Sequence, residues 1–307
     1  MNTITRREFL GKVLPASGVG LAAAAGGFGL PARAIEPIRR KGRCRLRLSM
    51  AAYSFRDYFR AGANPHIDLH DFIDYCADHG CEGTELTSYY FPPDPTREYL
   101  IGLKRHAFLR GLTVSGTAVG NNFALPEGPA FRAQVQMVKD WIDRAVVLGA
   151  PHIRVFAGSP KGIDEKEAIR RCVLALEECG EYASRRGVWL GLENHGGLVG
   201  NVRRLLEIVR AVKSRWVGVN LDTGNFYQTD DPYRDMALLA PYAVNVQFKV
   251  RINWPGKGRV PSDPDRVASI LREVSYQGFV ALEYEEKAPW KEIPGWLEKL
   301  SRAFAKA

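Results

Sequence analysis

Four stretches in the second half of the chain alternate apolar and polar residues with a period of two: 188–195, 217–222, 244–249 and 279–284. Successive side chains of a β-strand point to opposite faces, so this alternation predicts strands with one apolar and one polar face. The apolar faces, such as Val188/Leu190/Leu192 and Val244/Val246/Phe248, suit packing beneath helices. The opposite faces carry Glu193 and His195, Asn220 and Asp222, Asn245, Gln247 and Lys249, and Glu283. Four such faces call for one shared interior.

The same unit repeats along the rest of the chain. Strands are predicted at 46–55, 82–90, 112–118 and 151–157. Helices are predicted at 69–79, 96–110, 126–148, 164–186, 201–213, 231–239, 265–276 and 293–305. Asp164 is a natural N-cap, and Gly80, Gly111, Gly149 and Gly187 fall where helices should close. Alternating strands and helices build a parallel sheet with right-handed crossovers. A doubly wound open sheet would be expected to carry a glycine-rich phosphate loop after its first strand, and this chain has none. The expected fold is α/β, a single (β/α)8 TIM barrel over residues 46–307. The Gly- and Pro-rich segment 253–264 reads as a long loop and, from its length, as a lid.

Composition agrees with a globular domain: 307 residues, 46% hydrophobic and 25% charged. The first 34 residues stand apart. Thr5-Arg6-Arg7-Glu8-Phe9-Leu10 is a twin-arginine pattern, a weakly apolar run follows, and Ala32-Arg33-Ala34 offers a small-x-small cleavage site. Residues 1–34 are therefore expected to be a signal peptide for the twin-arginine translocase. The mature protein is expected to be exported folded to a periplasmic or other extracytoplasmic space, without a membrane anchor. Residues 35–45 form a basic lead-in. Ten of the 43 basic residues and two of the 34 acidic ones precede Leu48, so the formal charge of +9 belongs mostly to the N-terminus. Nucleic-acid binding normally shows a basic face across the fold, and no such partner is expected. The five cysteines include no CxxC and no Cys/His cluster, which argues against zinc-finger and thioredoxin chemistry.

In such barrels, chemistry sits at the C-terminal ends of the strands. Candidates there are Glu85, Arg154, Glu193, His195, Asp222, Asn225, Gln247, Lys249 and Glu283. Carboxylates converging without a cation raise one another's pKa values. Three of them with a carboxamide oxygen favour a hard divalent ion, Mn²⁺ or Mg²⁺ before Co²⁺ or Zn²⁺. Structural roles compete with each assignment: Asp222 as a turn former, Gln247 as a hydrogen-bonding neighbour, His195 as support, Lys249 reaching solvent, and Glu85 with Arg154 as an ion pair in the wall. Aromatic residues around the mouth, Trp254 and Trp290 among them, are candidates to enclose a sugar ring or simply to pack the rim.

Leu192-Glu193-Asn194-His195-Gly196-Gly197, Leu221-Asp222-Thr223-Gly224-Asn225, Val246-Gln247-Phe248-Lys249 and Leu282-Glu283-Tyr284 resemble the sugar phosphate isomerase/epimerase group with the xylose isomerase-like TIM barrel. The resemblance runs from about Leu46 to the C-terminus. It implies one divalent metal held by Glu193, Asp222, Gln247 and Glu283, with Gln247 standing where the family usually has His and Asn225 where some members have a substrate-touching His. It also implies a carbohydrate substrate, expected near Asn225 and, from their places at the mouth, near Glu85, Arg154 and Trp254. Proton exchange beside a carbonyl would be carried out by Glu193 and Glu283, with Lys249 and His195 stabilising the oxyanion or orienting hydroxyls. Two other readings use the same residues: a lyase acting on a keto-sugar or keto-glycoside, and a non-catalytic carbohydrate-binding barrel. A metal-dependent endonuclease would need several more histidines at the mouth.

Overall fold

The structure, a computed structural model, describes residues 35–306; the expected signal segment lies outside them. Eight parallel strands close into a barrel: β1 (Arg45–Ala51), β2 (Gly83–Thr87), β3 (Thr113–Ala118), β4 (His152–Val155), β5 (Trp189–Glu193), β6 (Val217–Asp222), β7 (Ala243–Phe248) and β10 (Gln277–Leu282). Strand order around the barrel follows the chain, and β1 closes on β10 from Arg45↔Gln277 to Met50↔Leu282. Helices α1 (Leu69–Asp78), α2 (Arg97–Leu109), α3 (Pro129–Leu148), α4 (Glu165–Ser184), α5 (Val202–Ala211), α6 (Pro232–Leu239), α7 (Pro264–Glu273) and α8 (Pro289–Ala305) surround it. Among the described residues, no helix is long and apolar enough to cross a membrane.

The alternation of the strands decides which side chains meet the helices. Leu190, Leu192, Val217, Val219, Val246, Val280 and Leu282 all join one hydrophobic core between sheet and helices. The intervening positions turn inward, and the interior is polar for much of its height. Helix ends follow local rules: Asp164 accepts the Glu167 amide at 2.8 Å, and Gly149 closes α3 in the left-handed region. Helix α3 begins at Pro129 rather than 126, because proline at the first helical position is pre-set in φ.

Segment 253–264 is not a featureless loop. Its residues complete an antiparallel hairpin, β8 (Arg251–Trp254) with β9 (Gly258–Pro261), paired from Arg251↔Pro261 to Trp254↔Gly258. The basic lead-in is part of the packed structure too. Ile35 is buried and its amide donates to the Val212 carbonyl (3.2 Å), the Ile38 amide donates to the Pro241 carbonyl (2.8 Å), and the Arg40 guanidinium lies over the Tyr276 ring.

Candidate active site

The inward side chains form tiers. Lowest lies His152, whose Nδ1 meets the Ser115 carbonyl at 3.1 Å, beside the Ser49–Ser115 hydroxyl pair. Above it a hydrogen-bonded cluster joins Glu85, Asn220, Asn245 and Gln247. Asn245 donates to Glu85 (3.0 Å) and to Asn220 Oδ1 (2.9 Å), and Gln247 Nε2 donates to the other Glu85 oxygen (2.7 Å). Burial and the charge of Glu283 push the Glu85 carboxyl up to about 7. Glu85 is thus held by Asn245 and Gln247 instead of forming the expected ion pair with Arg154; it is fully enclosed and ties β2 to β7.

The upper tier holds Glu193, Asp222, Lys249 and Glu283. Glu193 ends β5 and ion-pairs with Arg154 on β4, Nε to Oε2, at 2.9 Å. Its Oε1 accepts from Asn225 (3.1 Å) and its Oε2 from Asn220 (3.3 Å). Glu283 follows β10 directly and pairs with Lys249 Nζ at 3.0 Å. Lys249 also meets Glu285 at 2.7 Å and Asp222 at 3.6 Å. Burial raises Glu193 and Asp222 above the usual carboxylate range; Lys249 and Arg154 outweigh burial at Glu283 and hold it below. Asp222 divides its work: Oδ1 accepts the Gly224 (2.7 Å) and Asn225 (3.1 Å) amides in a tight turn, while Oδ2 is buried without a hydrogen-bond partner.

Local structure makes this possible at Gly224. A Cβ there would lie 2.6 Å from Lys249 Cβ, so only glycine lets the lysine pass over the turn toward the carboxylates. Asn194, a residue the alternation did not single out, spans two strand ends. It donates to the Asp222 carbonyl (2.8 Å) and accepts the Asp222 amide (2.9 Å).

Three sequence-predicted residues, His195, Trp254 and Trp290, lie on or beneath the rim, though the charge of His195 still acts on Glu193 and Glu283. Strand β5 stops at Glu193, so His195 leaves the alternation and lies exposed on the rim, its ring 4.3 Å from that of Phe156. Trp254 is carried outward by the hairpin against Tyr233, and Trp290 packs on Phe55, Tyr58 and Tyr75 beneath the rim. Tyr53, Asn225, Tyr227 and Asn253 line the cavity over Lys249 instead.

The donor set fits a divalent cation in chemistry and charge. Four buried carboxylates (Glu85, Glu193, Asp222, Glu283) face two buried cations, Arg154 and Lys249. The acids outnumber the cations, and Asp222 Oδ2, 3.6 Å from Lys249 Nζ and without a hydrogen bond among the described residues, is a ligand atom that the lysine would have to yield. As arranged, however, no three His, Cys, Asp or Glu side chains among the described residues stand in a metal-binding cluster. The lysine ammonium sits between Asp222 and Glu283, and the Gln247 oxygen accepts from Asn220 at 2.7 Å. Binding would require Lys249 to release Asp222 and Glu283 and keep Glu285.

A family model described as xylose isomerase-like TIM barrel matches residues 73–300. A curated protein of Nitrosopumilus maritimus (strain SCM1), "Probable endonuclease 4", is 32% identical over 107 residues, covering 33% of this chain and 38% of that protein. Among solved structures, a D-psicose 3-epimerase in the presence of D-fructose superposes with a TM-score of 0.66 at 17% identity, covering 85% of this chain and 97% of that one. The IOLI protein with a bound zinc atom gives the same TM-score, identity and coverages. At these identities the two structures speak to the fold.

Proposed function

Since the chain belongs to the xylose isomerase-like TIM barrel family, we propose that it is a carbohydrate isomerase or epimerase that moves a proton at the carbon beside a carbonyl. One observation carries this reading: Glu193 and Glu283, on strands separated by β6 and β7, share one mouth, and each is clamped by its own cation. Returning the proton on the opposite face uses two such groups, and a shift to the neighbouring carbon uses either one. Arg154, Asn225 and Asn220 orient the Glu193 carboxylate, and Lys249 orients that of Glu283. The same ammonium is placed to offset negative charge developing on a carbonyl oxygen in a site shielded from water.

The resident metal belongs to this proposal. Glu193, Asp222 and Glu283 would hold it, with Gln247 as the fourth ligand once its carboxamide oxygen turns from Asn220. When bound, a divalent ion supplies Lewis-acid polarisation of adjacent substrate oxygens; oxygen donors favour Mn²⁺ or Mg²⁺. Export by the twin-arginine translocase to the periplasm is proposed on Thr5–Leu10 and Ala32-Arg33-Ala34 alone.

The test is solvent deuterium uptake into keto sugars, with wild type and the Glu193→Gln and Glu283→Gln variants, each with and without Mn²⁺. Uptake that falls at least about a hundredfold in either variant is expected. Cleavage of a keto-glycoside without isomerisation would point to a lyase, and sugar binding without exchange would leave a binding barrel.

A further inference from the structure

Beside Lys249 and Asn225, which contact Glu283 and Glu193, lies a cavity of about 430 Å³ walled by Arg56, Arg251, Arg259 and Lys249, with Glu285, held by Lys249, as its one carboxylate among the described residues. Its size is within the range of small-molecule sites. Two of the four cations are neutralised within the protein: Lys249 by Glu283 and Glu285, and Arg259 by Glu286 at 2.6 Å. Arg56 and Arg251 differ, since among the described residues neither forms an ion pair with a carboxylate. Arg56 donates to the backbone carbonyls of Tyr284 (3.2 Å) and Glu285 (2.9 Å), which fixes its guanidinium without cancelling its charge. Arg251 gives one N–H to the Arg259 carbonyl at 2.5 Å.

A guanidinium stays charged, has five N–H donors and matches a carboxylate or phosphate in a two-point geometry. Both of these are half-buried and retain donors on the wall of the substrate cavity. With no carboxylate paired to them among the described residues, these two guanidinium groups attract an anion at the rim of the mouth. We propose that the substrate is an anionic sugar. Its carboxylate or phosphate group is held by Arg56 and Arg251, and its carbonyl end reaches Glu193 and Glu283. This deepens, and rests on, the reading of the mouth as a sugar-converting site.

Calorimetric binding at low salt tests it without requiring turnover. The probes are D-glucuronate, D-galacturonate and D-glucose 6-phosphate against their neutral parents, with wild type, Arg251→Gln and Arg56→Gln. At least one acidic sugar is expected to bind ten times more tightly than its parent, to weaken as salt rises, and to lose that preference in Arg251→Gln. The stronger class of acidic probe identifies the anion. Arg251, with a single backbone contact, keeps the test valid if Arg56→Gln fails to fold. Equal affinity for acidic and neutral sugars, binding of no acidic sugar, or an acidic preference unchanged in Arg251→Gln overturns the proposal. Acidic binding without deuterium exchange would sink the isomerase reading alone; exchange with a neutral sugar bound as tightly as its acid would sink this one alone.

Discussion

At the scale of single residues, His152 shows what a buried side chain does to its surroundings. It is 3% exposed, and burial lowers its pKa to about 4. A Cβ on Gly116 would stand 1.9 Å from its ring, so the glycine opposite is the space the imidazole occupies. Between pH 6.5 and 4 the unfolded chain binds the proton that the folded one refuses, so stability falls as pH drops through that window. The loss should reach about 3 kcal/mol. Glu85, raised to about 7, gains stability over the same window, so the test is a difference: between pH 7 and 4.5 the urea midpoint of wild type should fall relative to that of His152→Asn. The ring was legible in the sequence only as a histidine at a strand start. Its depth depends on the tilt of the barrel, which no local pattern records.

At the scale of elements, the strands were legible and their last residues were not. Alternation correctly turned Glu193, Asp222, Gln247 and Glu283 inward. It also assigned His195 to the interior, because it continued past Glu193 where the β5 ladder had already ended. Beyond a ladder's end, turn geometry takes over from period two. The turn after β6 is the clearest case: Asp222 Oδ1 organises it, and Gly224 leaves the path by which Lys249 enters. Gly224→Ala should cost about 1–3 kcal/mol through overpacking. Thermal melting should show that cost, and the same variant should lose exchange activity, since its Cβ meets the Lys249 stem. A variant with unchanged melting and full activity would show that the lysine has room to move. The 253–264 segment was misjudged for a related reason. Its glycines and prolines signal turns, but the pairing of β8 with β9 lies in backbone contacts across the hairpin.

At the scale of the whole molecule, residues 35–43 brace the end of the barrel opposite the mouth. Removing them exposes the Ile35 site and breaks the backbone bonds to Val212 and Pro241. A chain beginning at Cys44 should be less stable than one beginning at Ile35 by at least about 2 kcal/mol, read from denaturant unfolding. The segment's six basic residues (with Arg45 and Arg47) suggested only a charge; its apolar anchors become visible once the strands they cover are assembled. The sequence by itself determined the eight strand–helix units, the polar lining and the carboxylates at the mouth, since these follow from side-chain periodicity over a few residues. Tertiary structure decided the partners. It set Glu85 against Gln247 and Asn245, Arg154 against Glu193, and Lys249 among three carboxylates, while leaving Arg56 and Arg251 without a counter-ion among the described residues. Those pairings join residues up to 162 positions apart, as in Gln247 with Glu85, and they depend on how the strands stagger when the barrel closes.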